Sequence, residues 1–211
     1  MKTIAVVCTL IFGSSLQAQG QLPKLMDEQA EIAMALEAAL PNVSGGATVY
    51  VLKRGGHVVA RRGSNGFACL VSRDHIESLY PICYNPEGAE TVLPGALMSQ
   101  RLREEGKSND EIEQIVATAY RDGKLKAPTK GAIAYMMSPR QVIYAGATGP
   151  RVGQYRPHLM LYMPYATRQS VGLDKSLDSQ VFLALEGKAT AHLIVPLKDW
   201  STPPSASAPE R

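Results

Sequence analysis

The chain has 211 residues and a formal net charge of +3; 45% of its residues are hydrophobic and 19% are charged. This is the composition of an ordinary globular protein, which excludes a collagen, a coiled coil and disorder for most of the chain. Its 18 glycines and 14 prolines indicate many turns and short strands rather than a helical bundle.

The first 18 residues have the layout of a secretory signal peptide. Lys2 supplies the positive start, residues 4–12 form an apolar run, and small and polar residues follow. The run is too short to span a bilayer, although it could also be a buried helix or strand. We predict cleavage after Ala18, with Gly20 as the alternative, and export to the periplasm or the extracellular space. No later stretch is long and apolar enough for a transmembrane segment, so none is expected after cleavage.

Removal of this leader changes the meaning of the three cysteines. Cys8 leaves with the leader, so Cys69 and Cys83 are the remaining pair. In an oxidising compartment such a pair forms a disulfide, which here would contribute on the order of 3 kcal/mol. The alternative is a free thiol that acts as a nucleophile or a metal ligand.

The N-terminal half begins with a predicted helix and continues as strands. Apolar residues recur with helical spacing from Asp27, a capping residue, to Leu40, just before Pro41. Residues 47–52 and 57–60 are β-rich runs around a glycine turn, which predicts a β-hairpin. Residues 67–71 and 81–84 are further short strands, so a disulfide between them would pin the loop at residues 73–79 to the sheet.

The middle of the chain is predicted to be helical and the C-terminal part to be strands again. One helix covers residues 96–105, and Ser108 with Glu111 has the capping-box spacing that opens a second helix ending at Gly123. Apolar β runs follow at residues 132–137, 141–144, 158–163, 181–185 and 191–195. A turn around Gly187 joins the last two runs as a hairpin. Residues 201–211 are rich in Pro and Ser and are predicted to form a disordered tail.

The order of these segments predicts the fold class. Helices and strands do not alternate one for one, which argues against a doubly wound parallel sheet. We predict a single α+β domain over residues 27–200. It has a mostly antiparallel sheet of about six to eight strands, with three helices packed on one face.

Familiar catalytic and nucleotide-binding motifs do not occur in this sequence. Gly106-Lys107-Ser108 resembles the end of a phosphate-binding loop but lacks the preceding glycine that such a loop needs. No serine lies in a Gly-x-Ser-x-Gly motif, and the four histidines lack metal-ligand spacing. We therefore expect no cofactor. The balance of 22 basic and 19 acidic residues does not favour nucleic acid as a partner.

One stretch near the C-terminus carries the candidate site residues. If a strand begins at His158, then His158, Met160 and Tyr162 share one face. One interpretation is a pocket lined by His158 and Tyr162, with Arg156 or Arg168 at its rim to bind an anion. Another is a Cu(I) site with His158 and Met160 as ligands. The third is ordinary core packing.

These patterns favour an exported binding or interaction module for a small molecule or a protein, and they indicate no particular oligomeric state. The alternative is a hydrolase-type enzyme that uses His158 with Tyr162 or His192. A second alternative is a periplasmic copper-binding protein.

Overall fold

The computed structural model describes residues 22–144, 150–153, 156–173 and 181–197. The predicted signal peptide, its cleavage site and the predicted tail lie outside these residues. The described residues form one α+β domain with an eight-stranded, mostly antiparallel sheet. The predicted fold class is therefore confirmed.

Local capping signals position the helices. The helices in the described residues are α1 (Glu28–Leu36), α2 (Pro41–Ser44), α3 (Pro86–Thr91), α4 (Leu93–Glu104) and α5 (Asn109–Arg121). Asp27 caps α1, and the predicted capping box of Ser108 and Glu111 is confirmed at the start of α5. The first helix ends before the predicted Leu40. Pro41 instead begins a separate short helix, because its fixed φ suits a first helical turn.

Most strands follow the predicted runs, but the strand at residues 151–153 was not predicted. They are β1 (Thr48–Lys53), β2 (Gly56–Arg61), β3 (Ala68–Ser72), β4 (Tyr80–Tyr84), β5 (Ile133–Met136), β6 (Ile143–Tyr144), β7 (Arg151–Gly153), β8 (His158–Tyr162), β9 (Phe182–Ala184) and β10 (His192–Pro196). The large sheet has the order β2-β1-β3-β4-β5-β8-β10-β9, and β6 pairs with β7. Only β1 and β3 pair in parallel among the described strands. Gly187 takes a φ of +74° in the turn between β9 and β10, as a glycine readily does.

Helices cover both faces of the sheet, so the prediction that they pack on one face was wrong. Helix α1 packs against Val49 of β1 and Val71 of β3. On the other face, Leu93 of α4 packs against Leu70 of β3 and Ile82 of β4. The physical reason is that successive residues of β3 point to opposite faces, and both sets are apolar and buried.

The predicted disulfide between Cys69 and Cys83 is confirmed. The two residues are direct partners in the antiparallel pair of β3 and β4, and both are fully buried. Helix α1 lies over them, with the backbone oxygen of Ala35 3.7 Å from the Cys83 Sγ. The bond therefore closes the base of the loop between these strands, as the predicted strand positions indicated.

A buried ion pair fastens α1 to one end of the sheet. The side chain of Glu31, 1% exposed, accepts a hydrogen bond from the Leu52 backbone N–H at 3.0 Å and lies 3.7 Å from the Arg73 guanidinium. Arg73 also donates to the Lys24 carbonyl at 2.7 Å. Burial raises the pKa of Glu31, and the Leu52 N–H and Arg73 offset this only in part. Burial likewise lowers the pKa of Arg73.

Burial of His57 should make the stability of the fold depend on pH. Its Nε2 lies 3.3 Å from the Val71 carbonyl, and burial lowers its pKa from 6.5 to about 4. An unfolded chain takes up this proton below pH 6.5, whereas the folded chain resists until about pH 4. The His57 contribution to stability is thus complete above pH 6.5 and is lost as the pH falls towards 4, by at most about 3 kcal/mol. Urea unfolding at pH 7 and pH 4.5 should show a smaller pH effect for His57→Gln than for the parent. Equal pH effects in the two proteins would contradict this assignment.

Candidate functional site

The predicted face of β8 exists, but it points into the core. His158, Met160 and Tyr162 alternate with half-buried residues, and each is at most 8% exposed. The His158 Nδ1 donates to the Arg156 carbonyl at 2.8 Å. Burial lowers the pKa of His158, which favours the neutral ring.

Tyr162 and His192 are brought together across the pair of β8 and β10. They are direct strand partners, and their ring centres lie 5.0 Å apart. Nδ1 of His192 donates to the Thr190 carbonyl at 2.9 Å. Burial raises the pKa of Tyr162, whose hydroxyl is hydrogen-bonded to Tyr84, and lowers the pKa of His192. Tyr162 and His192 therefore lie in the core, and burial favours the neutral form of both side chains.

His158 lies at the other end of the same strand pair. Its partners are Pro196 on β10 and Met136 on β5, so four residues, or about 13 Å, separate it along the strands from Tyr162 and His192. His158, Met136 and Met160 share the buried face.

Among the described residues, no group of three or more His, Cys, Asp or Glu could hold a metal ion. The hydrolase and copper interpretations stay predictions.

Arg156 and Arg168 flank β8 at opposite ends. Arg156 precedes the strand and is exposed. Arg168 follows it, and its Nε lies 3.6 Å from the carboxylate of Glu186 in the turn between β9 and β10. The two arginines therefore lie apart, and an anion site at either of them stays a prediction.

A different part of the surface has the shape of a binding site. An open cleft of about 620 Å³ lies between α1, α2 and the loop at residues 137–140 after β5. Its apolar lining comes from Ala33, Leu36, Ala39, Leu40, Met137 and Pro139. Ligand sites are typically concave, apolar and of this size, with few polar groups. We refer to it as the α1–α2 cleft.

Backbone hydrogen bonds hold the walls of the α1–α2 cleft in place. The Met137 N–H donates to the Ala38 carbonyl at 3.0 Å and joins the loop to the turn after α1. Within the loop, the buried amide of Gln141 donates to the carbonyls of Met136 and Ser138 at 2.6 and 3.0 Å. These hydrogen bonds fix the position of the loop relative to α1.

A single ion pair supplies the charges that line the cleft. The Arg140 Nε donates to Glu37 Oε2 at 2.8 Å, and its Nη2 donates to Oε1. Ser138, which is fully buried, also donates to Glu37 Oε2 at 3.1 Å. All other lining residues are uncharged. The arrangement offers packing surface with one fixed polar group.

A second, smaller cleft of about 450 Å³ lies between α4 and α5. Two cations, Arg101 and Lys124, line it together with a mixture of apolar and polar side chains. Arg101 is half-exposed and lies 3.7 Å from the Glu105 carboxylate. This pair resembles Glu37–Arg140 in composition and provides a control site.

The sequence did not reveal the α1–α2 cleft because its walls come from three separate segments. Leu36 and Leu40 lie on the apolar stripe of the predicted helix, and this pattern indicates core residues rather than a ligand site. Pro41 could have indicated the second wall of the cleft. Proline is typical of a first helical turn as well as of a helix end, so a new helix could have been predicted there.

Comparisons of this chain with protein-family models, with curated proteins and with solved structures found no match. No helix within the described residues is long and apolar enough to cross a membrane. Function is therefore inferred from the geometry of the chain itself.

Proposed function

We propose that this chain is an exported binding protein that takes a small, mostly apolar molecule into the α1–α2 cleft. The observation that carries this proposal is the cleft itself, an apolar concavity of about 620 Å³ with one ion pair among its lining residues. Export is supported by the signal-peptide pattern of residues 1–18 and is consistent with the disulfide of Cys69 and Cys83.

Binding fits this lining better than catalysis does. Both oxygens of the Glu37 carboxylate accept hydrogen bonds from Arg140, and Oε2 also accepts one from Ser138, so the carboxylate is already engaged within the protein. The Ser44 hydroxyl donates to the Ala39 carbonyl at 3.5 Å and makes no hydrogen bond to Glu37, the carboxylate among the lining residues. Such a surface buries an apolar ligand without an acid–base pair to transform it.

Filling the cleft with a large side chain should weaken ligand binding. Ala33 is an exposed residue of α1 that lines the cleft, so Ala33→Trp places an indole in the site without disturbing the core. The parent protein should bind the uncharged fluorophore N-phenyl-1-naphthylamine saturably, and Ala33→Trp should weaken this binding by about tenfold or more, equivalent to 1.4 kcal/mol.

Ala117→Trp is the matched control, because Ala117 is an exposed helical alanine of α5 that lines neither cleft. Its affinity for the fluorophore should equal that of the parent. Equal weakening in both variants, or no saturable binding by the parent, would overturn the proposed function.

A further inference from the structure

The hydrogen-bonding capacity of Arg140 indicates which ligand the cleft takes, an inference that rests on the proposed function. A guanidinium carries five N–H donors. Arg140 uses its Nε and Nη2 for Glu37, and its side chain makes no other hydrogen bond or ion pair within the described residues. The edge formed by Nη1 and Nη2 therefore remains for a second acceptor, and the side chain is 50% exposed at the cleft.

The guanidinium is also held in one orientation. Glu37 binds it through both carboxylate oxygens, and the Ser138 hydroxyl anchors Glu37. The same hydroxyl accepts the Arg140 backbone N–H at 3.1 Å. A group fixed in this way loses little conformational entropy when a ligand binds to it.

The open groups at this position are donors. Both oxygens of Glu37 already accept hydrogen bonds, whereas Arg140 retains unused N–H groups. A planar acceptor with two oxygens fits the free edge of a guanidinium with two parallel hydrogen bonds. The adjoining apolar surface of Leu36, Leu40 and Met137 suits a hydrocarbon chain.

We infer that the α1–α2 cleft binds a free aliphatic carboxylate. The hydrocarbon chain lies on the apolar lining, and the carboxylate accepts hydrogen bonds from the Nη1 and Nη2 edge of Arg140. The negative charge of Glu37 repels the ligand carboxylate, so it weakens the affinity of the cleft for this ligand.

Competition for the fluorophore by decanoate and by decanol at pH 8 tests this inference, because the two probes share a chain length and differ in the head group. The parent should bind decanoate about five- to tenfold more tightly than decanol, which corresponds to one charge-assisted contact. Arg140→Met keeps the aliphatic stem and removes the donors, so the ratio of its decanoate and decanol affinities should fall to about one or below.

Glu37→Gln should act in the opposite direction. The amide keeps the size of the side chain and removes the opposing charge, so decanoate binding should tighten by about threefold or more. Arg101→Met, which removes the corresponding cation of the second cleft, should leave both affinities unchanged.

The outcomes separate this inference from the proposed function. Equal affinity for decanoate and decanol, with fluorophore binding intact, overturns the carboxylate assignment and leaves the proposed function standing. Weaker decanoate binding in Glu37→Gln, or a full decanoate preference in Arg140→Met, also overturns it. Failure of the parent to bind the fluorophore removes the proposed function as well. Binding only to phosphatidylglycerol vesicles, without competition by decanoate, reassigns the surface to membranes.

Discussion

Replacement of both Cys69 and Cys83 with alanine is expected to lower the free energy of unfolding by about 3 to 5 kcal/mol. The disulfide joins residues 14 positions apart, so its loss lets the unfolded chain gain entropy. Both sulfurs lie in the buried layer between α1 and the sheet, and alanine leaves unfilled space there. Urea unfolding of the purified double variant against the parent measures the difference.

Cys8→Ala provides the control for this measurement. Cys8 belongs to the predicted leader, so the exported protein should have the same mass and stability with or without this substitution. A loss below about 1 kcal/mol in the double variant would contradict the structural role assigned to the disulfide.

Glu31→Leu is expected to destabilise the fold by about 3 to 5 kcal/mol, because it leaves Arg73 buried without a counter-charge. It also removes the acceptor of the Leu52 N–H. The double variant Glu31→Leu with Arg73→Leu should lose less free energy of unfolding than the two single variants lose together, since it removes both charges. Chemical unfolding of the four proteins gives the coupling energy.

The neighbouring pair of Glu28 and Lys53 is a matched control. Its atoms are closer, at 2.7 Å, but both side chains are exposed by more than 40%. Solvent and salt screen such a pair, so its coupling energy should be below about 1 kcal/mol. Additive effects of Glu31 and Arg73 would show that burial does not strengthen their interaction.

The features that the sequence predicted correctly depend on local patterns. The Ser108–Glu111 capping box, the hairpin turn at Gly187 and most strand runs are each encoded within a few adjacent residues. The disulfide was predicted from the two cysteines that remain when the predicted leader is set aside. These signals establish which elements form and set the fold class.

The features that were missed depend on contacts between distant segments. The apolar residues of β3 predicted a buried strand but not that α1 would cover one of its faces and α4 the other. Helix α3, capped by Asn85 and begun by Pro86, is a short helix without a predicted periodicity. Likewise, the alternation around His158 was correct, whereas the side of the sheet that meets the helices depends on the whole topology.

The position of α1 over the disulfide restricts the order in which the protein can mature. Cys69 and Cys83 are fully buried, and the Ala35 carbonyl of the helix lies 3.7 Å from the Cys83 Sγ. We therefore expect a thiol oxidant to react fastest before this helix packs on the sheet. A chain that docked the helix first would keep both thiols shielded, so slow helix docking favours complete oxidation.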